Sequence, residues 1–439
     1  MISYTVVPPG KISGVIEMPG DKSITHRAYI LSSLAKGKSI LKGVLRAEDC
    51  DHTRGIMEAM GVQIEQISDT EFEVEGVGLK GLKAPKNILD VGNSGTGIRL
   101  LSGLLAAQNF SSTITGDESI QRRPMKRVVE PLTKMGAKIE SKSGNAPLTF
   151  LPAGGLQGIF YPMPVSSAQV KSCLMLAGLY ALGETVVVDP GKSRDHTEKM
   201  FELFEIPYEK YPMISEGEIN NGDKITISPL MTDFIGREVQ VPGDFSSAAF
   251  FISLALIHPN AELTIKNVGL NDTRRALLDV YLKMGADIKI HYHAKEVGEP
   301  YGDLIVKSSK LKGIEISGDI IPKLIDEIPI FCVVASQAST PSVVKNAEEL
   351  KVKESDRIAT TVSELKKFGV DIAATPDGMM INPSPKIKAA KAVSHGDHRI
   401  AMSSAILATL ALGESEIDEI ECVNTSFPNF WALLEKICQ

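Results

Sequence analysis

The chain repeats itself, and that constrains its fold more than any other feature. Pro19-Gly20-Asp21-Lys22-Ser23 returns as Pro242-Gly243-Asp244-Phe245-Ser246, about half the chain later. Each opening leads into an apolar run rich in Ala and Leu, then a strand-like stretch. A second helical stretch follows and ends in Met60-Gly61-Val62 or Met284-Gly285-Ala286. Four further openings share the rhythm: Gly92-Asn93-Ser94-Gly95-Thr96, Val165-Ser166-Ser167-Ala168-Gln169, Asp326-Glu327 and His395-Gly396-Asp397-His398-Arg399. The 439 residues therefore divide into six units of about 70–80 residues, three on each side of Pro242. The leading stretch, residues 1 to about 18, lies outside the count and can pair with either half.

Within each unit the order is loop, helix, strand, helix, strand. The first helices are apolar nearly all round, as in Leu100, Leu101, Leu104, Leu105 or Ala401, Met402, Ala405, Ile406. Such helices belong inside. The second helices carry a single apolar stripe, as in Val128, Leu132, Met135 or Ile358, Val362, Leu365, Phe368, and a Gly closes most of them. Strand-like runs such as Thr185 to Val188 lie between. The class is α/β, with buried helices and sheets outside them.

The loops that open the buried helices share a chemistry. They hold Ser23, Thr25, Ser94, Thr96, Ser166, Ser167, Gln169, Ser246 and Ser247. Helix capping alone accounts for hydroxyls at such positions, and for Ser246 and Ser247 it is the preferred reading. Capping does not require cations, yet Lys22 and Arg27 flank Ser23, and Arg99 follows Thr96. Arg122 and Arg123 precede Pro124, Arg194 follows Ser193, Lys353 and Arg357 bracket Glu354, and Arg399 follows His398. Helix N-termini with guanidinium groups beside them suit bound carboxylate and phosphate. Gly95 fits a close approach of backbone to ligand, and equally a plain turn. Asp326, Glu327 and Glu354 are the carboxylates among these cations. Each can serve as a base, an acid or the salt-bridge partner of an Arg.

Other classes are excluded. The net charge of −7 argues against a nucleic-acid or membrane-surface binder. No apolar run reaches the roughly 18 residues of a span, and the N-terminus lacks a targeting pattern. Five cysteines without a CxxC pair or a Cys/His cluster point to a reduced, cytoplasmic protein with no metal site. Gly37-Lys38-Ser39 and Gly191-Lys192-Ser193 end like a P-loop but lack its leading Gly, and both read as turns. His291 and His293 alternate on a strand-like solvent face. No cofactor is implied.

Several motifs together resemble one family. Pro19 to Arg27 (PGDKSITHR), Gly92 to Arg99 (GNSGTGIR), Arg123-Pro124-Met125, Ser167 to Ser172 (SAQVKS), Val352 to Arg357 (VKESDR) and Asp397 to Met402 (DHRIAM) are similar to signatures of the 3-phosphoshikimate 1-carboxyvinyltransferases. These are also called 5-enolpyruvylshikimate-3-phosphate synthases. The resemblance runs along the whole chain in order. It implies a two-domain enolpyruvyl transferase fold, an inside-out α/β barrel, with three repeated βαβαββ-type units per domain. The expected domains are 19–241 and 1–18 plus 242–439, with the active site in the cleft between them. The implied reaction moves the carboxyvinyl group of phosphoenolpyruvate to the 5-hydroxyl of shikimate 3-phosphate and releases phosphate. The expected partners are these two small anions, acting on a monomer.

The resemblance also implies roles for residues. Lys22, Ser23, Arg27, Ser166, Ser167, Gln169, Arg194, Asp326 and Lys353 are expected around shikimate 3-phosphate. Lys22, Asn93, Gly95, Arg123, Gln169, Arg357 and Arg399 are expected on phosphoenolpyruvate. Asp326 is the expected base, Glu354 the expected acid, and Lys22 assists proton transfer. Ala168 stands where many members carry a second Ser, and Asn424-Thr425-Ser426 stands where many carry a Lys. The sister UDP-N-acetylglucosamine 1-carboxyvinyltransferases usually carry a reactive Cys before an Arg-Pro pair. Gly116 to Pro124 contains none. A non-enzymatic clamp built of repeats is the remaining alternative; it would want a broadly basic lining.

Overall fold

The computed structural model describes residues 2–215, 218–293 and 298–438. The chain separates into two units, Gly20–Val241 with Lys295–Glu299, and Met1–Pro19 with Pro242–Ala294 and Pro300–Gln439. Glu299 thus groups with the first unit, although the sequence reading leaves it in the second half. Its carboxylate lies 2.7 Å from His196 Nδ1.

In the first unit the apolar runs form the helices Lys22–Leu34, Gly95–Ala106 and Ala168–Gly178. They lie buried side by side in one core. Leu100, Leu101, Leu104, Leu174 and Met175 have no more than traces of exposed surface. Each such side chain contributes roughly 1.5–3 kcal/mol on burial. Gly103 lets two of these helices touch. A Cβ there would lie 2.1 Å from the Cys173 carbonyl, so any side chain would force the helices apart.

The second unit repeats the plan with Phe245–Ile257, Ile328–Ser336 and His398–Ala408, all buried in a separate core. The striped helices lie outside the buried ones, among them Lys126–Lys134 and Arg357–Lys367. Gly61, Gly136, Gly285 and Gly369 follow four of these helices with φ between +85° and +98°. The glycine C-cap signal therefore corresponds to real left-handed turns.

All repeats but the last build a small sheet of one pattern among the described residues. A short strand leads into the buried helix and lies parallel to the strand after it, and an antiparallel hairpin completes the sheet. Leu89–Asp90, Ser112–Thr115, Asn145–Leu151 and Lys138–Lys142 show this order. The first repeat of each unit takes its leading strand from a distant part of the chain. Glu238–Gln240 pairs with Lys36–Lys42 in the first unit, and Ile12–Glu17 pairs with Ala261–Gly269 in the second. Ser3–Val6 likewise pairs antiparallel with Ser415–Asp418 and completes the last repeat, whose sheet has three strands. Both N-terminal strands thus belong to the second unit.

Gly37-Lys38-Ser39 is no turn; it lies inside the strand Lys36–Lys42, in register with Glu75 and its neighbours. Gly191-Lys192-Ser193 does lie in the loop between Thr185–Asp189 and His196–Leu203.

Candidate active site

The three buried helices of the first unit start at one common end. Asp21, Ser94 and Ser167 cap them, accepting from the backbone nitrogens of Ile24, Gly97 and Val170. Side chains then tie the three starts together. His26 sits between Thr53 Oγ1 at 2.7 Å and Ser94 Oγ at 3.3 Å. Burial first, then the charges of Lys22 and Arg27, push the His26 imidazole well below its usual range, so it is neutral at pH 7. Arg27 donates from Nε to Thr197 Oγ1 at 2.8 Å and from Nη2 to Ser172 Oγ at 2.7 Å, and its Nη1 returns to the Ser23 carbonyl. Its burial, opposed by Glu198 and Asp21, brings its pKa down to about 10.

Arg99 joins the second and third starts. Its Nη1 donates to Gln169 Oε1 at 2.8 Å, and Gln169 Nε2 donates to Thr96 Oγ1 at 3.0 Å. Arg123 reaches Asn93 Oδ1 at 3.4 Å, and Asn93 Nδ2 donates to Asp117 at 2.6 Å. Gly95 is in close contact with Arg123, for a Cβ would fall 2.7 Å from Arg123 Nη1 and 3.1 Å from Arg99 Nη1. Lys22 pairs with Asp49 at 3.0 Å.

Around the third start lies a buried charged group. Asp189 accepts from Ser166 Oγ at 2.5 Å and from both the backbone N and Oγ of Ser193, which precedes Arg194. Lys171 is 3.4 Å from Asp189 and 2.7 Å from Glu198. Burial works to raise the Asp189 carboxyl, and Lys171 with the serine bonds outweighs it, holding it below the usual carboxylate range. The same two carboxylates overcome the burial of Lys171 and keep it charged.

The second unit has an end of the same kind. Arg357, the first residue of its helix, is almost wholly buried among three carboxylates. Its Nε donates to Asp397 Oδ2 at 2.8 Å, its Nη1 to Asp326 at 3.2 Å and its Nη2 to Glu354 at 2.5 Å. Burial works against its charge, and Asp397, Glu354 and Asp326 together raise its pKa all the same. Lys353 Nζ lies 3.4 Å from Asp326. Arg399 Nη1 lies 3.3 Å from Glu327, which Arg274 approaches at 3.0 Å. Asp397 caps its helix through the Arg399 backbone N at 2.9 Å.

Most of the residues singled out from sequence therefore fall into two groups. Lys22, Ser23, Arg27, Asn93, Gly95, Arg123, Ser166, Ser167, Gln169 and Arg194 stand at or beside the helix starts of the first unit. Asp326, Lys353, Glu354, Arg357 and Arg399 stand at those of the second. Arg122 does not join them; its side chain is 74% exposed and pairs with Glu118. Asn424 and Thr425 lie in a 3-10 turn, where Thr425 Oγ1 donates to the Cys422 carbonyl. Sequence reasoning gave no role to His26, Asp189, Lys171, Glu198, Arg274 or Asp397. His26, Lys171 and Asp397 stood within motifs already quoted; Arg274 carried no signal. Among the described residues no group of three His, Cys, Asp or Glu is placed to hold a metal ion. Nor is any helix long and apolar enough to cross a membrane.

Known proteins share this sequence and fold. The sequence profile of EPSP synthase (3-phosphoshikimate 1-carboxyvinyltransferase) matches residues 6–434. The chain is 47% identical over 439 residues to the 3-phosphoshikimate 1-carboxyvinyltransferase of Geotalea uraniireducens, spanning 100% of this chain and 99% of that one. It is 49% identical over 427 residues to that of a Thermoanaerobacter species, spanning 97% and 98%. The solved EPSP synthase of Acinetobacter baumannii superposes with a TM-score of 0.87 at 39% identity, covering 100% of this chain and 98% of that one. With the profile, the relatives and the fold in agreement from end to end, the chain belongs to the EPSP synthase family of enolpyruvyl transferases.

Proposed function

We propose that the chain runs its family's reaction through the two groups of polar side chains just described, acting on one pair of substrates. It transfers the carboxyvinyl group of phosphoenolpyruvate to the 5-hydroxyl of shikimate 3-phosphate, a step toward chorismate and the aromatic amino acids. The first group takes shikimate 3-phosphate on Lys22, Ser23, Arg27, Ser166, Ser167, Gln169 and Arg194. Asp326 and Lys353 complete its site. Phosphoenolpyruvate is held by Lys22, Asn93, Gly95, Arg123, Gln169, Arg357 and Arg399. The chain acts as a cytoplasmic monomer on these small anions.

The observation that carries this reading is the sharing of Arg357 by Asp326 and Glu354, at 3.2 and 2.5 Å. Two carboxylates on one guanidinium can take opposite proton tasks once an anion claims that guanidinium. Phosphate or carboxylate arriving at Arg357 weakens its hold on Glu354 and adds negative charge nearby. Both effects favour the protonated acid. Glu354 then gives its proton to the methylene carbon of phosphoenolpyruvate. Cationic character builds at C2, and the 5-oxygen attacks there as Asp326 accepts the hydroxyl proton. The fixed cations keep both substrates in line while the C–O bond forms. In the second half the methyl group returns a proton to the enzyme, the bond from C2 to the phosphate oxygen breaks, and phosphate leaves.

Phosphate release from phosphoenolpyruvate with shikimate 3-phosphate as acceptor tests the proposal directly. Turnover is expected with that acceptor and not with UDP-N-acetylglucosamine. The reverse preference would move the chain to the sister activity, and salt-sensitive DNA binding without turnover would favour a clamp.

A further inference from the structure

Glu327 stands next to the expected base, yet it does not share its environment. It is fully buried, whereas the Asp326 side chain keeps 21% of its surface. Its carboxylate receives Arg274 Nη1 at 3.0 Å, Arg399 Nη1 at 3.3 Å and the Ser246 hydroxyl. Arg274 also contacts Ser246 and stands 3.7 Å from Asp244, which caps the Phe245–Ile257 helix. One oxygen of Glu327 thus joins side chains from all three repeats of this unit.

Arg399 is only 8% exposed, and it is held at one corner. Nη1 is spent on Glu327, and the guanidinium lies 5.9 Å from the Phe250 ring centroid. Its Nε is buried with no hydrogen-bond partner among the described residues. A buried guanidinium donor without a partner costs stability unless a ligand completes it. Without Glu327, two buried guanidinium groups would also face each other with no charge between them.

We propose that Glu327 and Arg274 are positioning residues for phosphoenolpyruvate: Glu327 anchors Arg399 by one nitrogen so that the rest of its fork meets the substrate anion, and Arg274 keeps Glu327 charged and in place. This rests on the assignment of Arg399 to phosphoenolpyruvate. Neither residue touches substrate or takes up a proton in the reaction. Their effect belongs to the binding of one substrate and not the other. An anion bridged by a loosened Arg399 loses the fixed geometry on which bidentate recognition depends.

The test is steady-state kinetics with each substrate varied, on Glu327→Gln, Arg274→Lys, Arg274→Gln, the double variant Glu327→Gln/Arg274→Gln and, as a control, Arg399→Lys. Thermal unfolding reports folding. Glu327→Gln is expected to raise KM for phosphoenolpyruvate by about 10–100-fold and that for shikimate 3-phosphate by less than about 3-fold. Arg274→Lys keeps the charge but loses the fork, so a selective rise of about 3–10-fold is expected. The double variant removes one charge of each sign. Its rise should fall short of the Glu327→Gln and Arg274→Gln effects combined, a coupling that general loosening of the core would not produce. Equal rises in both KM values, or a folded Glu327→Gln enzyme with unchanged KM for phosphoenolpyruvate, overturn the proposal. If Glu327→Gln does not fold, an unchanged Arg274→Lys enzyme overturns it instead. Should Arg399→Lys itself fail to raise KM for phosphoenolpyruvate, the underlying assignment of Arg399 is wrong. A selective rise there, with no effect at Glu327, defeats the positioning proposal alone.

Discussion

Arg357 grips Asp397 with two nitrogens, Nε at 2.8 Å and Nη2 at 3.3 Å, and both residues are buried. Burial would raise the Asp397 carboxyl. The guanidinium outweighs it and holds the carboxyl below the usual carboxylate range. Asp397 does two further things: it caps the His398–Ala408 helix and accepts from Ser355 Oγ at 3.0 Å. The pair therefore fixes the Arg357 guanidinium from one side, and its loss should be felt in stability before catalysis.

Asp397→Asn keeps the cap but leaves Arg357 without its fully buried charge partner. A destabilisation of about 3–5 kcal/mol at pH 7 is expected, the usual scale for breaking a buried pair. The pH dependence has a definite sign. The folded pKa is depressed, so the unfolded state takes up protons first, near pH 3.9. The stabilisation from Asp397 is complete above that pH and is lost as pH falls through the lower folded value. Urea unfolding from pH 7 down to pH 3 should show the gap between wild type and variant narrowing only below about pH 4. A gap that stays constant into acid would mean the carboxylate is not what Arg357 stabilises.

Glu354→Gln retains a partner for Arg357 Nη2 and removes the transferable proton. A fall in kcat of about 10²–10⁴ is expected, with KM for shikimate 3-phosphate changed little. Single-turnover mixing with both substrates at saturation separates this from binding. Near-normal turnover would remove Glu354 from the role of acid.

Gly95→Ala puts a methyl group 2.7 Å from Arg123 Nη1, a distance that Cβ contacts do not adopt. Arg123 is the more flexible partner and must swing away. KM for phosphoenolpyruvate is expected to rise by roughly 3–30-fold, from misplacement of one guanidinium, while the fold stays intact. An unchanged KM would show that Arg123 finds an equivalent position, and Gly95 would then be a turn residue only.

The helices that carry these groups were readable in the sequence because apolar residues on every side leave a helix only one place to go. The C-cap glycines were readable for a similar local reason. Pairing across repeats was not. Arg274, Glu327 and Arg399 are far apart along the chain, and nothing in the spacing of Arg274 separates it from a surface charge. The two N-terminal strands were ambiguous because an edge strand can join any open sheet until the tertiary fold selects one. Gly37-Lys38-Ser39 looked like a turn because its residues favour turns, and pairing with Lys36–Lys42's neighbour Glu71–Val77 overrode that preference. The motif positions around Lys22, Gly95 and Arg357 were named correctly as loop-to-helix junctions. Which carboxylate each cation meets required the structure.

The repeat also exposes a junction that departs from four of its siblings. After the helix His196–Leu203 the chain turns through Glu205 at φ +56°, where four other repeats place a glycine at φ between +85° and +98°. A residue with a Cβ costs about 1–2 kcal/mol in that conformation. Glycine removes this strain and adds about 0.4–1 kcal/mol of unfolded-state entropy in opposition. Glu205 also pairs with Arg237 at 2.6 Å, but its side chain is 74% exposed, and such surface pairs contribute about 0–1 kcal/mol. The strain is the largest of the three, so Glu205→Gly should stabilise the protein by up to about 1 kcal/mol. Denaturant unfolding should show a higher midpoint at an unchanged slope, with kcat and both KM values as in wild type. A lower midpoint would mean the Arg237 pair outweighs the strain at this turn. Addition of salt then provides the check, because screening weakens an exposed pair and leaves backbone strain untouched.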